Sequence, residues 1–123
     1  MAISKVFVHG VPDSPVIWRP LVEMLGLDPA NTLIPSFPGF AEKAPTSFRA
    51  TKDEYVDWLI GVLEEQVQKA GPVDLVGHDW GALLTLRAAS LRPDLIASWV
   101  VSNAVIDDQY VGHRTARAWN TPI

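Results

Sequence analysis

The sequence predicts an α/β fold, a parallel sheet with helices on both faces. Three observations predict it. Short runs of β-branched and aromatic residues recur between segments whose apolar residues fall at helical spacing. These alternate as strand-helix-strand-helix-strand-helix-strand, an order that implies parallel pairing and right-handed crossovers. The 123 residues, 48% hydrophobic and 20% charged, suffice for one domain with a real core. Residues 1–123 read as a single unit, without internal repeat, low-complexity segment or second-domain boundary.

Lys5-Val6-Phe7-Val8 is the first strand, and the loop His9-Gly10-Val11-Pro12 follows it. Ser14-Pro15 has the form of an N-cap with proline at the first helical position. Trp18, Leu21, Val22 and Leu25 then share one helical face, and Gly26 ends that helix. Thr32-Leu33-Ile34 is a second short strand. Pro35-Ser36-Phe37-Pro38-Gly39-Phe40 is a loop with a Pro-Gly turn, and residues 41–49 are aperiodic connection. Thr51 and Glu54 form a capping box. Behind it Tyr55, Trp58, Leu59, Val62, Leu63 and Val67 mark a long helix that Gly71-Pro72 closes. Residues 73–76 are the central strand, 82–91 a helix ending near Arg92-Pro93, and 96–102 the last strand. From Asp107 the pattern weakens; 110–119 has the length of one short helix.

Bulk composition removes several functions. A net charge of -4, with no basic patch, argues against a nucleic-acid partner. There is no cysteine, which excludes disulfides, thiolate chemistry and cysteine metal sites. No apolar run approaches the ~18 residues of a membrane span, and the first residues lack a signal-peptide core, so a soluble, cytoplasmic protein is expected. A P-loop, a Gly-rich dinucleotide fingerprint and a metal-ligand cluster are all missing, so neither cofactor nor metal is expected.

The chemistry gathers at Val76-Gly77-His78-Asp79-Trp80-Gly81-Ala82. Small residues flank Asp79 in the pattern small-x-Asp-x-small-small, which a sharp strand-to-helix turn needs at its apex. Two readings meet at Asp79. An aspartate before a helix is commonly an N-cap. At such a turn a carboxylate can also attack an electrophilic carbon and form an alkyl ester, and the glycine pattern favours this second reading. The ester then needs water and a base, normally a histidine oriented by an acid. The amides of Trp80 and Val11 are placed for an oxyanion hole, because both loops follow strands and share the carboxyl edge of the sheet. The Trp80 indole either faces a leaving group or packs in the first helical turn. Val11-Pro12 is a candidate cis peptide. His9 is expected to brace its loop, and His78 to point into the sheet as a core residue. His113 lies in the weakly patterned tail. Asp107 and Asp108 are expected in solvent, Tyr110 in packing, and Asp53, Glu54, Glu64 and Glu65 on a solvated helix face.

Val8-His9-Gly10-Val11-Pro12, Pro35-Ser36-Phe37-Pro38-Gly39-Phe40 and Val76-Gly77-His78-Asp79-Trp80-Gly81 together resemble the α/β-hydrolase superfamily. The branch they resemble is that of the epoxide hydrolases and haloalkane dehalogenases. The resemblance covers the N-terminal half of that fold and weakens after about residue 107, where a helical cap would begin. It implies Asp79 as nucleophile and the Val11 and Trp80 amides as the oxyanion hole, with His9, Gly10, Pro12, Gly77 and Gly81 supporting the two loops. The implied substrate is a small apolar electrophile, an epoxide or a haloalkane. Pro-Ser-x-Pro-Gly-Phe leans toward epoxide hydrolases, as does Val11, where many dehalogenases place a halide-binding Asn. Dehalogenase, esterase and other hydrolase chemistry are the alternatives. The family's base and acid come from later strands, so for these 123 residues alone a non-catalytic fragment is the competing expectation. It would self-associate through the open edge of its last strand.

Overall fold

The computed structural model describes residues 2–112 and 114. Four parallel strands form one sheet in the order β2-β1-β3-β4: β1 is Lys5–Val8, β2 Thr32–Leu33, β3 Val73–His78 and β4 Ile96–Ser102. Between them run α1 (Arg19–Met24), α2 (Lys52–Ala70) and α3 (Trp80–Leu91). The expected fold class and element order are what is observed.

Each strand turns alternate side chains to opposite faces. Val6, Val8, Val73 and Leu75 face α2 and α3, where Leu59, Leu63, Leu84 and Ala88 complete a core without exposed atoms of note. The opposite face is covered by the segment before α1. Pro15–Trp18 is a 3-10 turn capped by Ser14, and its Trp18 ring packs on Phe7 at 5.2 Å. Of the apolar face expected here only Trp18 is buried; Leu21 and Leu25 are exposed. The reason is length: α1 has six residues and reaches the sheet mainly through the turn before it.

Thr51 caps α2, accepting from the Glu54 amide at 3.1 Å. The Glu54 carboxylate reaches the Arg49 amide at 2.6 Å, so the expected box closes on the connection and not on the cap residue. Gly71 ends α2 at φ 82°. On the face away from α2 and α3, Asp74 joins Lys5 at 3.1 Å and Ser98 at 2.6 Å, tying three neighbouring strands. The Ser98 hydrogen bond, with Lys5 beside it, holds the Asp74 carboxyl below the usual carboxylate range. Among the described residues strand β4 is an edge, and its Trp99 and Val100 are about half exposed (49% and 59%). His113 and most of the possible helix over 110–119 lie outside the described residues.

Candidate active site

The turn from β3 to α3 is as tight as the small residues require. A Cβ on Gly77 would collide with the Gly81 carbonyl and the Thr85 hydroxyl, and one on Gly81 with the carbonyls of Val8 and His9. The helix therefore starts almost in contact with the strands, and Asp79 takes the apex at φ 57° and ψ -121°. This is backbone that residues other than glycine seldom adopt. Three backbone bonds hold it. The Asp79 N–H donates to Ser102 O at 3.1 Å, and its carbonyl accepts from Ala82 and Leu83 at 3.0 and 3.3 Å.

Asp79 occupies the N-cap position of α3, yet its side chain makes no cap bond. Instead Oδ2 accepts the Val11 N–H at 2.9 Å. The carboxylate is turned toward the loop after β1, where Gly10 leaves it room: a Cβ there would stand 2.6 Å from Asp79 Cβ and 2.8 Å from Oδ2. The Val11-Pro12 peptide is cis, as the sequence suggested.

His9 is buried at the start of this loop. It has no exposed surface, and both ring nitrogens are engaged. The Phe37 N–H can only donate, so Nε2 accepts it at 2.9 Å. Nδ1 then carries the proton and donates to Gly10 O at 2.8 Å. Burial pushes the His9 pKa below its ordinary value, with the Gly10 hydrogen bond and the Asp13 charge opposing in part. One neutral imidazole thus joins the loops at 9–12 and 35–40, and its ring stacks on Phe37 at 4.2 Å.

His78 is a correction. It is not a core residue. Val73, Leu75 and Gly77 face the helices, so His78 falls on the other face, partly exposed. Its Nδ1 lies 2.8 Å from Ser102 Oγ and its ring meets Trp18 edge-on at 6.4 Å.

A cavity of about 290 Å³ with mostly apolar walls opens against Trp80 and against Val11, whose N–H the Asp79 carboxylate accepts. Val11 and Trp80 form the side next to the carboxylate, Phe37 and Phe40 come from the second loop, and Tyr55 and Leu84 from α2 and α3. The Trp80 side chain is 47% exposed, so it is not packed away in the first helical turn. The Tyr55 hydroxyl donates to Pro38 O at 3.0 Å and secures the second loop. Sequence reasoning missed Tyr55, Phe40 and Leu84 as walls and Ser102 as a partner of the turn. The aromatic pair in Pro-Ser-Phe-Pro-Gly-Phe was the available signal for the walls. Asp107 and Asp108 are exposed, while Glu64 pairs with Arg92 and Glu65 with Lys69. Among the described residues no group of three His, Asp or Glu side chains could hold a metal ion, and no helix is long and apolar enough to cross a membrane.

The family model described as "Alpha/beta hydrolase family" matches residues 6–122. The (E)-2-((N-methylformamido)methylene)succinate hydrolase of Acinetobacter baylyi is 30% identical over 100 residues, which are 81% of this chain and 37% of that protein. The epoxide hydrolase of Caballeronia sordidicola is 33% identical over 98 residues, 74% of this chain and 28% of that one. Among solved structures, the haloalkane dehalogenase DbeA from Bradyrhizobium elkani superposes with a TM-score of 0.77 at 23% identity, over 96% of this chain and 41% of its own. The chain thus spans about a third of the length of the curated relatives it matches.

Proposed function

We propose that this chain, which belongs to the alpha/beta hydrolase family, supplies a nucleophilic aspartate that takes an alkyl group from a small apolar electrophile. Asp79 is that nucleophile, and an epoxide comes ahead of a haloalkane as its substrate. The observation that carries the reading is the 2.9 Å bond from Val11 N–H to Asp79 Oδ2 at a left-handed apex. An aspartate serving only as a helix cap would have spent that oxygen on its own helix.

The steps follow from which oxygen is held. With Oδ2 at the amide, Oδ1 attacks the epoxide carbon; the ring C–O bond breaks and the ring oxygen takes a proton. The product is a hydroxyalkyl ester of Asp79, whose carbonyl oxygen is Oδ2. Water then adds to that carbonyl, and the negative charge develops on Oδ2, already beside the Val11 N–H, with the Trp80 N–H as second donor. Collapse of the adduct releases a diol and regenerates the carboxylate. A carboxylate has no proton to lose before the first attack, whereas water needs a base for the second. His9, with both nitrogens engaged, does not serve as that base.

Ester or amide hydrolysis is the weaker alternative on chemical grounds. Attack of an aspartate on an acyl carbon gives an anhydride, more reactive than the ester or amide it came from, whereas attack on an alkyl carbon gives an ordinary ester. Between epoxide and halide, Val11 turns an apolar side chain to the cavity where many dehalogenases place the halide-binding Asn. The reading takes the protein as cytoplasmic, in keeping with a chain that has no cysteine.

Mass spectrometry of the intact chain after incubation with a small aryl epoxide tests this. The expected result is a gain of one epoxide mass on the peptide that holds Asp79, lost in Asp79→Ala. An unmodified Asp79 alongside steady turnover refutes it. One further observation supports self-association as a second reading: the exposed Trp99 and Val100 on β4, which among the described residues pairs with β3 alone, suit a second copy of this chain. Light scattering is expected to give a dimer or larger that Val100→Lys disperses, and a monomer in the parent chain refutes this.

A further inference from the structure

Asp79 sits in backbone geometry that only its surroundings can hold, and its neighbour in sequence reaches those surroundings. The Asp79 N–H is fastened to the carbonyl of Ser102 at 3.1 Å. Ser102 is the last residue of β4, which among the described residues has only β3 beside it. Asn103 follows at φ 55°, so the chain leaves the sheet at once. The end of an edge strand is held from one side and opens more readily than the middle of a sheet. The acceptor that steadies the apex therefore stands at a strand end, with β3 alone beside it among the described residues.

A second bond closes the same two strand ends. His78 and Ser102 are register partners in the β3–β4 ladder, and His78 Nδ1 lies 2.8 Å from Ser102 Oγ. The side-chain bond and the backbone bond thus cross the same gap in parallel. The imidazole is in turn held edge-on by Trp18, which is buried and anchored on Phe7. A line of contacts runs from the covered face of the sheet, through Trp18 and His78, to the residue that holds the Asp79 amide. The pair stands on the face opposite Leu84 and Tyr55 of the cavity, so it does not read as a serine nucleophile with its base.

The geometry points to His78 and Ser102 as a positioning pair that fixes the apex of the turn, acting through the Asp79 backbone and touching no substrate. The inference rests on the reading of Asp79 as the alkyl acceptor only for its kinetic consequence. The structural consequence is independent of it.

Amide exchange followed by NMR on the full chain separates the two. Ser102→Ala, His78→Ala and the double variant are compared with the parent chain. Ser102→Ala removes one hydroxyl and leaves the fold little else to lose. The Asp79 amide is expected to exchange about five- to tenfold faster in each variant, the factor one ordinary hydrogen bond is worth. The double variant is expected to match either single one, because the two side chains act as one unit. The rate constant for alkylation by an epoxide should fall while the concentration for half-maximal rate stays unchanged. Unaltered Asp79 exchange in Ser102→Ala overturns the inference. So does an equal rise at the Val6 and Leu75 amides, which would mean general stability, and so do additive effects in the double variant or undiminished alkylation where the amide has loosened. If the parent chain forms no adduct, the proposed function fails, and the exchange pattern alone decides the positioning role.

Discussion

Replacing Gly10 with alanine tests whether the room left beside Asp79 matters for its proposed alkylation. The new Cβ would sit 2.6 Å from Asp79 Cβ, and ordinary contact begins near 3.4 Å, so the two must part by about 0.8 Å. Neither side yields easily. Asp79 Cβ is fixed by a backbone with three hydrogen bonds, and the Gly10 carbonyl is held by the buried His9. The movement must open the 2.9 Å bond between the Val11 N–H and Oδ2. Loss of that bond alone would not slow alkylation, because the amide stabilises charge that the attack consumes. Misplacement does slow it: a shift of this size costs on the order of 10²-fold in a positioned reaction. Gly10→Ala should therefore form the Asp79 adduct about 30- to 100-fold more slowly. The rate is read by mass spectrometry under excess epoxide, with circular dichroism to show that the fold is kept. A folded Gly10→Ala chain that alkylates at the parent rate refutes the geometric argument.

Gly61→Ala is the matched control, since nothing lies within 4 Å of the added methyl in the middle of α2. It should raise stability by about 0.5–1 kcal/mol in urea unfolding and leave alkylation unchanged. Gly81→Ala drives a methyl into the carbonyls of Val8 and His9, backbone that cannot swing aside. It should cost about 3 kcal/mol or more, seen as a large fall in melting temperature or in soluble yield. His9 carries the pH dependence. Burial lowers its folded pKa, so the unfolded chain binds the proton first as pH falls. This contribution to stability is complete above about pH 6.5 and declines below it, by at most about 1.4 kcal/mol per pH unit, until the folded pKa is reached. Urea midpoints measured from pH 8 to 5, beside a His9→Gln chain that lacks the decline, check the assignment; a flat parent profile refutes it.

What could be read from the sequence was what one local rule decides. Gly77 and Gly81 around Asp79 announced a tight turn because a side chain at either position would meet backbone. The spacing from Tyr55 to Val67 announced α2 because one face had to reach the core. His78 was misread because its place depends on which face of the sheet is covered. Gly77 looks at α3, so the next residue looks away, toward a face where Trp18 is the only buried side chain from the first helical segment. Leu21 and Leu25 illustrate the same limit: helical spacing marks a face but cannot say that the helix is too short to lay it on the sheet. The cavity walls were hidden for another reason. Residues 35–49 have no period, and Phe37 meets both Tyr55 and Phe40 only through loop geometry fixed by His9 and Pro38.

The proposed chemistry at this turn accounts for the stability it gives up. A capping aspartate would add about 1 kcal/mol to α3, and Asp79 makes no such bond. Its left-handed φ costs on the order of 1–3 kcal/mol more than a glycine would at the same position. Yet glycine stands at Gly77 and Gly81 on either side, where crowding demands it, and not at the apex, where conformation alone would favour it. A chain selected only to fold would reverse that choice. On the proposed reading the aspartate is kept where it strains the backbone because there its carboxylate leaves its own helix and meets the amide of Val11, a residue that lines the apolar cavity. On the proposed reading, the strain, the unused cap and the amide contact are three consequences of one requirement, a carboxylate aimed away from its own helix.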